Sequence, residues 1–179
     1  MKKLFLMLLI LSPLCGCFYY EGGHFVSTLS VRFVPPTEWN GRLFPAKQIC
    51  RAQGGHGATP ALYVSHIPAG ANLLIMEIND LDDPFLNKNG GNGSIGFYHN
   101  GNSTATLLPV PGETFSLPSF AFEEKASRVN SAKPYPYMPP CIERDHRYSV
   151  TIKAVRRQGS FEKQVTDLLG KGEIMLGRY

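Results

Sequence analysis

The sequence predicts a mainly-β protein of one domain, a two-sheet antiparallel sandwich with one or two short helices near the C-terminus. Three observations carry that expectation. The 179 residues include 18 Gly and 14 Pro, a density that interrupts helices and favours short strands joined by turns. The segment His146–Val155 (HRYSVTIKAV) alternates, with Tyr148, Val150, Ile152 and Ala154 on one side and Ser149, Thr151 and Lys153 on the other. That is the two-residue period of a half-buried strand. The length also suits one hydrophobic core rather than several.

Taken in order, residues 1–16 read as a secretory signal of lipoprotein type. Lys2 and Lys3 open it, and Leu4–Leu11 is an apolar stretch too short to span a bilayer comfortably. Leu14-Cys15-Gly16-Cys17 is similar to a lipobox, with Leu at −3, Gly at −1 and Cys17 as the acceptor. Cleavage there leaves Cys17 as a lipidated first residue; an ordinary secretory signal or an uncleaved anchor is the alternative. The expected location is extracytoplasmic and lipid-anchored, on the outer membrane facing the periplasm in a Gram-negative source. Residues 17–24 read as a tether and 25–179 as the folded domain.

Within the domain, Phe25–Val34, Ala61–Ile67, Leu73–Ile78, Ile95–His99 and Ala105–Val110 are predicted strands. Leu73–Ile78 is nearly all apolar and therefore central. A helix is predicted where Ser160 can cap, Glu162 sits in the first turn, and Val165, Leu168 and Leu169 form an apolar face. Gly170 then reads as its C′ residue and Glu173–Tyr179 as a last strand. Phe122–Val129 predicts a second short helix. The run Asn87–Ser94 (NKNGGNGS) is a flexible loop without the strand–GxxxxGK–helix context of a phosphate loop.

The formal charge of +4 comes from 18 Lys and Arg against 14 Asp and Glu. Without Lys2 and Lys3 the balance is 16 against 14, or +2. No basic block remains, which argues against a nucleic-acid partner. Of the four cysteines, Cys15 leaves with the leader and Cys17 carries lipid, so Cys50 and Cys141 have only each other to pair with in an oxidising compartment. Two buried free thiols are the alternative. No CxxC or HxxxH spacing supports a metal site, and no cofactor is expected.

Three segments carry candidate chemistry. Asp80-Leu81-Asp82-Asp83-Pro84 follows the apolar strand, where one carboxylate can face a pocket while the other satisfies backbone donors in the turn. Pro84 then stops the strand. His146 and Tyr148 lie two apart and share a face if the strand begins at His146. An imidazole and a phenol can donate to an anion, and a nearby carboxylate can orient the ring. Tyr148 reads equally well as core, and His146 as a structural histidine at a strand start.

In order along the chain, Thr59-Pro60-Ala61-Leu62-Tyr63-Val64-Ser65-His66-Ile67-Pro68-Ala69-Gly70, the Asp80–Pro84 segment, and Pro139-Pro140-Cys141 with His146-Arg147-Tyr148 resemble the phosphatidylethanolamine-binding protein family. The likeness is to its bacterial, Raf kinase inhibitor-like branch and spans Phe25 to Tyr179. The family motifs run S-P-P-L-x-W-x-x-V-P-x-G, D-P-D-A-P, G-P-x-P-P and H-R-Y. The resemblance implies a sandwich fold with Asp80, His146 and Tyr148 as anion-pocket residues. Pro84 and Pro140 match motif prolines, Pro140 at the pocket, and a cis peptide at one of them is compatible with the match. Cys50 and Cys141 fall where many bacterial members have cysteines. Departures are Leu81 and Asp83 in the acidic motif, Val64 for the family tryptophan, and Gly93–His99 where the family has a second pocket histidine.

The leading functional expectation is therefore a non-enzymatic lipoprotein that binds a small anion or a phospholipid-headgroup-like ligand at the strand ends. A protein-interaction or inhibitor module with a degenerate pocket is the alternative. A small-ester hydrolase using Asp80 and His146 ranks lower, because no Gly-x-Ser-x-Gly elbow occurs. Expected partners are the ligand, the membrane through the N-terminal lipid, and a possible protein.

Overall fold

The computed structural model describes residues 19–21, 24–129, 133–141, 145–160 and 163–179. The leader and the acceptor Cys17 lie outside the described residues. The strands are β1 (Tyr19–Glu21), β2 (His24–Thr28), β3 (Ser30–Phe33), β4 (Leu62–Ser65), β5 (Leu73–Asp80), β6 (Gly93–Tyr98), β7 (Thr104–Leu107), β8 (Ala121–Lys125), β9 (Arg147–Ser160) and β10 (Lys163–Arg178). A single 3-10 turn, Arg51–Gln53, is the one helical piece among them. No helix of the described residues is long and apolar enough to cross a membrane.

These strands make two sheets. Seven run in the order β1-β2-β10-β9-β5-β6-β8, and three in the order β3-β4-β7. All pairs are antiparallel except β2 with β10. The expected two-sheet, mainly-β architecture is what the chain adopts. Between the sheets lies a core of Leu62 and Val64 from β4, Leu74, Met76 and Ile78 from β5, and Val150, Ile152 and Ala154 from β9, all buried. Burying an aliphatic side chain of this size stabilises the fold by roughly 1.5–3 kcal/mol.

The alternation in β9 sets its inner face as predicted, with Tyr148, Val150, Ile152 and Ala154 turned to the core. Its other face is less open than a half-buried strand implies. Ser149 and Thr151 are also buried. A second small cluster of Leu73, Ile75 and Val155, with Phe122 and Leu168 against it, covers part of that outer face.

Several predicted elements differ. Phe25–Val34 is not one strand but two in different sheets, broken at Leu29, whose N–H donates to the Lys171 carbonyl at 2.9 Å. Within the stretch read as a tether, Tyr19–Glu21 pairs with β2. The predicted C-terminal helix is instead β10, paired with β9 along almost its whole length. Leu168 lies opposite Val155, and Val165 is 55% exposed, so the presumed apolar helix face does not exist as a unit. Gly170 is no helix cap: a Cβ there would come within 2.8 Å of Leu29, so glycine lets β10 lie close to that turn. The second predicted helix is β8, an edge strand on β6, with Ala121 buried and Glu123 and Lys125 exposed. The cis peptide bond is at Pro35–Pro36, not at Pro84 or Pro140.

Candidate functional site

The last pairs of β5 and β9 create the site. Asn79 lies opposite Ser149 and Asp80 opposite Tyr148. Immediately beyond, the Leu81 N–H donates to the Arg147 carbonyl at 2.8 Å, which ties the acidic turn to the start of β9. Asp145, at φ 56°, turns the chain into His146. The His146 N–H and carbonyl both pair with Tyr179, at 2.9 and 3.0 Å. Tyr179, just after the final strand, therefore fixes the histidine backbone, while the acidic turn fixes its ring.

His146 Nδ1 lies 2.8 Å from Asp80 Oδ2. The other Asp80 oxygen accepts the Asp82 N–H at 3.1 Å. An ionised carboxylate can only accept, which places the imidazole proton on Nδ1 and leaves Nε2 to whatever enters the site. Asp80 is buried and His146 half-buried. The pair is thus shielded on the carboxylate side and open on the imidazole side.

Asp82 turns away from His146 and engages Arg147. Its carboxylate accepts from the Arg147 backbone N–H at 2.7 Å and from the guanidinium Nε and NH2 at 3.0 and 2.6 Å. The guanidinium hydrogen bonds hold the Asp82 carboxyl well below the usual carboxylate range. Pro84 lies in the turn between Asp83 and Phe85, where Asp83 Oδ1 caps the Phe85 N–H at 2.8 Å.

A cavity of about 190 Å³ opens at these strand ends. Asp80, Asn92, Pro139, Pro140, His146 and Tyr148 line it. All four residues expected at the ligand, Asp80, Pro140, His146 and Tyr148, therefore meet at one concavity. Tyr148 is both wall and core. Only 4% exposed, it packs edge-on against Phe44 at 5.4 Å, and Phe44 packs on Trp39 at 4.9 Å. A larger, more open hollow of about 560 Å³ beside Trp39 and Pro109 holds no comparable pair of convergent titratable groups.

The Cys50–Cys141 disulfide is formed, with Cα atoms 5.0 Å apart. Cys141 also lines the cavity. The Cys50 N–H donates to the Pro140 carbonyl at 2.9 Å, so the bridge and a hydrogen bond fasten this wall to the 45–57 loop together.

Sequence reasoning missed two residues. Asn79 is buried at the end of β5, and its Oδ1 accepts the Gly90 N–H at 2.9 Å, which folds the glycine-rich loop back over the sheet. Asn92, at the end of that loop, lines the cavity close to the start of β6. The composition of NKNGGNGS hid both the ordered turn and the polar wall. His99 does not reach the site. It lies past the far end of β6, with Nε2 2.8 Å from the Asn102 carbonyl.

Neither a family profile nor a curated protein matches the chain. Among solved structures, it is similar to a crystal structure from Chlamydia trachomatis described as a phosphatidylethanolamine-binding protein (PEBP) homolog. The two share 22% identity over 86% of this chain and 97% of that one, with a TM-score of 0.45.

Proposed function

We propose that the protein binds a small anion, a phosphate-like headgroup or monoester, in the cavity at the ends of β5 and β9. The observation that carries this reading is His146, whose ring is clamped by Asp80 at 2.8 Å and turned along the cavity wall. With Nδ1 held by Asp80, Nε2 is the ring atom left to meet an anionic oxygen, and a protonated ring donates a charge-assisted hydrogen bond there. The reading is of binding without turnover. The one cysteine sulfur at the wall, that of Cys141, is committed to Cys50 and is no nucleophile.

Differential scanning fluorimetry with millimolar phosphate and phosphoethanolamine tests this. Both are expected to raise the melting temperature, and His146→Ala is expected to abolish the rise while still folding. No shift in the wild type would overturn the reading in favour of an interaction module with a degenerate pocket.

We further propose that the chain reaches this ligand as a lipoprotein anchored through Cys17, on the strength of the Leu14–Cys17 segment. Labelled palmitate is expected to enter the protein in a bacterial host and to be absent from Cys17→Ser. Equal labelling of the two would exclude that anchor.

A further inference from the structure

We propose that β7 is a self-association edge, along which two copies of the chain pair antiparallel about a two-fold axis at Ala105. The pairing joins two three-stranded sheets into one continuous sheet. β7 is the outer strand of the small sheet, with β4 on its other side. Thr104 and Thr106 are exposed, and so are Ser103 and Leu108 beside them. An edge strand presents a row of backbone donors and acceptors, and native folds guard such rows with charge, proline or a bulge. The other edges among the described strands carry guards of this kind. β1 has Glu21, β3 has Arg32 with Pro35 and Pro36 close behind, and β8 has Glu123, Glu124 and Lys125. β7 has none. It pairs with β4 in unbroken register, and no Asp, Glu, Lys or Arg stands between His99 and Glu113.

The backbone tells which groups face outward. The Ser103 carbonyl accepts the Ile67 N–H at 3.0 Å, just past the end of β4. In an antiparallel ladder successive residues turn their N–H and C=O to alternate sides. Ala105 and Leu107 therefore address β4, while Thr104 and Thr106 hold theirs outward. Two such edges fit each other. Centred on Ala105, the pair sets Thr104 against the partner's Thr106 and Thr106 against the partner's Thr104, each as a hydrogen-bonded pair. The same register stands exposed threonines opposite one another, a favourable cross-strand combination. An edge that meets its own copy across a two-fold axis meets its own side chains. The absence of charge along β7 removes the repulsion that a charged edge brings to this meeting. Self-complementary threonines on an uncharged strand commit the edge to a second copy rather than to a foreign peptide. The pairing uses none of the anion cavity's residues, since Asp80 and Tyr148 belong to the seven-stranded sheet.

Sedimentation velocity of the full-length protein in detergent solution tests the inference. The average mass is expected to rise with concentration from one chain toward two and to stop there, because two-fold pairing consumes the edge. Thr104→Lys combined with Thr106→Lys, both at exposed positions, places like charges opposite each other and is expected to weaken association by about tenfold or more. Thr104→Val combined with Thr106→Val keeps the edge uncharged and β-branched, and is expected to retain it. Oxidative cross-linking then reads the register. Ala105 stands opposite the partner's Ala105 in a non-hydrogen-bonded pair, with Cα atoms about 4.5 Å apart. Ala105→Cys is therefore expected to give a disulfide-linked dimer. Thr104→Cys is expected to give none, since the same position in the partner lies two residues, or about 7 Å, further along the strand. A single chain at every concentration, association untouched by the lysine variant, or equal linking from the two cysteine variants would overturn the inference.

Discussion

At the scale of single residues, the acidic turn divides its work between two carboxylates that look alike in sequence. Asp80 faces the imidazole and is buried, whereas Asp82 takes Arg147 in a bidentate clasp near the surface. The difference has a pH signature. Because Arg147 depresses the folded-state pKa of Asp82, its contribution is fully present above the unfolded carboxylate value, about 3.9. It fades as pH falls through the lower folded value. Asp82→Asn is therefore expected to lower the urea midpoint at pH 7, and the gap from wild type is expected to narrow by pH 3. Added salt should shrink the gap at pH 7 too, since the pair is partly exposed. A gap independent of both pH and salt would mean that Asp82 acts only as a backbone acceptor for the Arg147 N–H.

At the scale of elements, legibility followed how local the information was. Leu73–Ile78 and His146–Val155 were legible because apolar runs and strict alternation are written in neighbouring residues. The Asp80, His146 and Tyr148 constellation was legible through the family resemblance, since the two-residue spacing by itself places only His146 and Tyr148 on one face. The C-terminal hairpin was not. Val165, Leu168 and Leu169 fit a helical face as readily as a strand, and what decides between them is the long edge of β9, available from Ser160 through Arg147. Tertiary pairing overrode local propensity there. The glycine-rich loop shows the opposite failure, a segment that composition marks as flexible but that is tied down from outside. The Arg128 side chain donates to the carbonyls of Phe85, Lys88 and Asn89, at 3.0, 2.7 and 3.1 Å for its shortest bonds. Asn79 takes Gly90 from the other side. Without those distant donors and acceptors, no inspection of the loop places Asn92 at the cavity.

At the scale of the whole molecule, one covalent bond joins the folded body to the cavity. Cys50 and Cys141 are 91 residues apart in sequence, so reduction frees a long loop in the unfolded chain. Loop-closure entropy puts the stabilisation at about 4–5 kcal/mol for an unstrained bridge. For a domain of this size that corresponds to a fall in melting temperature on the order of 10 °C. The native wall has separate support. The Cys50 N–H bonds to the Pro140 carbonyl, and Gly57 and Gly112 approach Pro139 so closely that a Cβ at either would come within 2.7 Å of its ring. Global stability and site geometry are thus expected to respond unequally. The double variant Cys50→Ser with Cys141→Ser should melt on the order of 10 °C below the oxidised wild type. Its affinity for phosphate, measured by calorimetry well below the melt, should stay within about threefold, because the entropic term acts on the unfolded chain. An unchanged melting temperature would show that the bridge contributes little to folding. A lost phosphate site in a variant that still folds would show instead that the bridge, rather than the backbone packing around Pro139 and Pro140, builds the cavity wall.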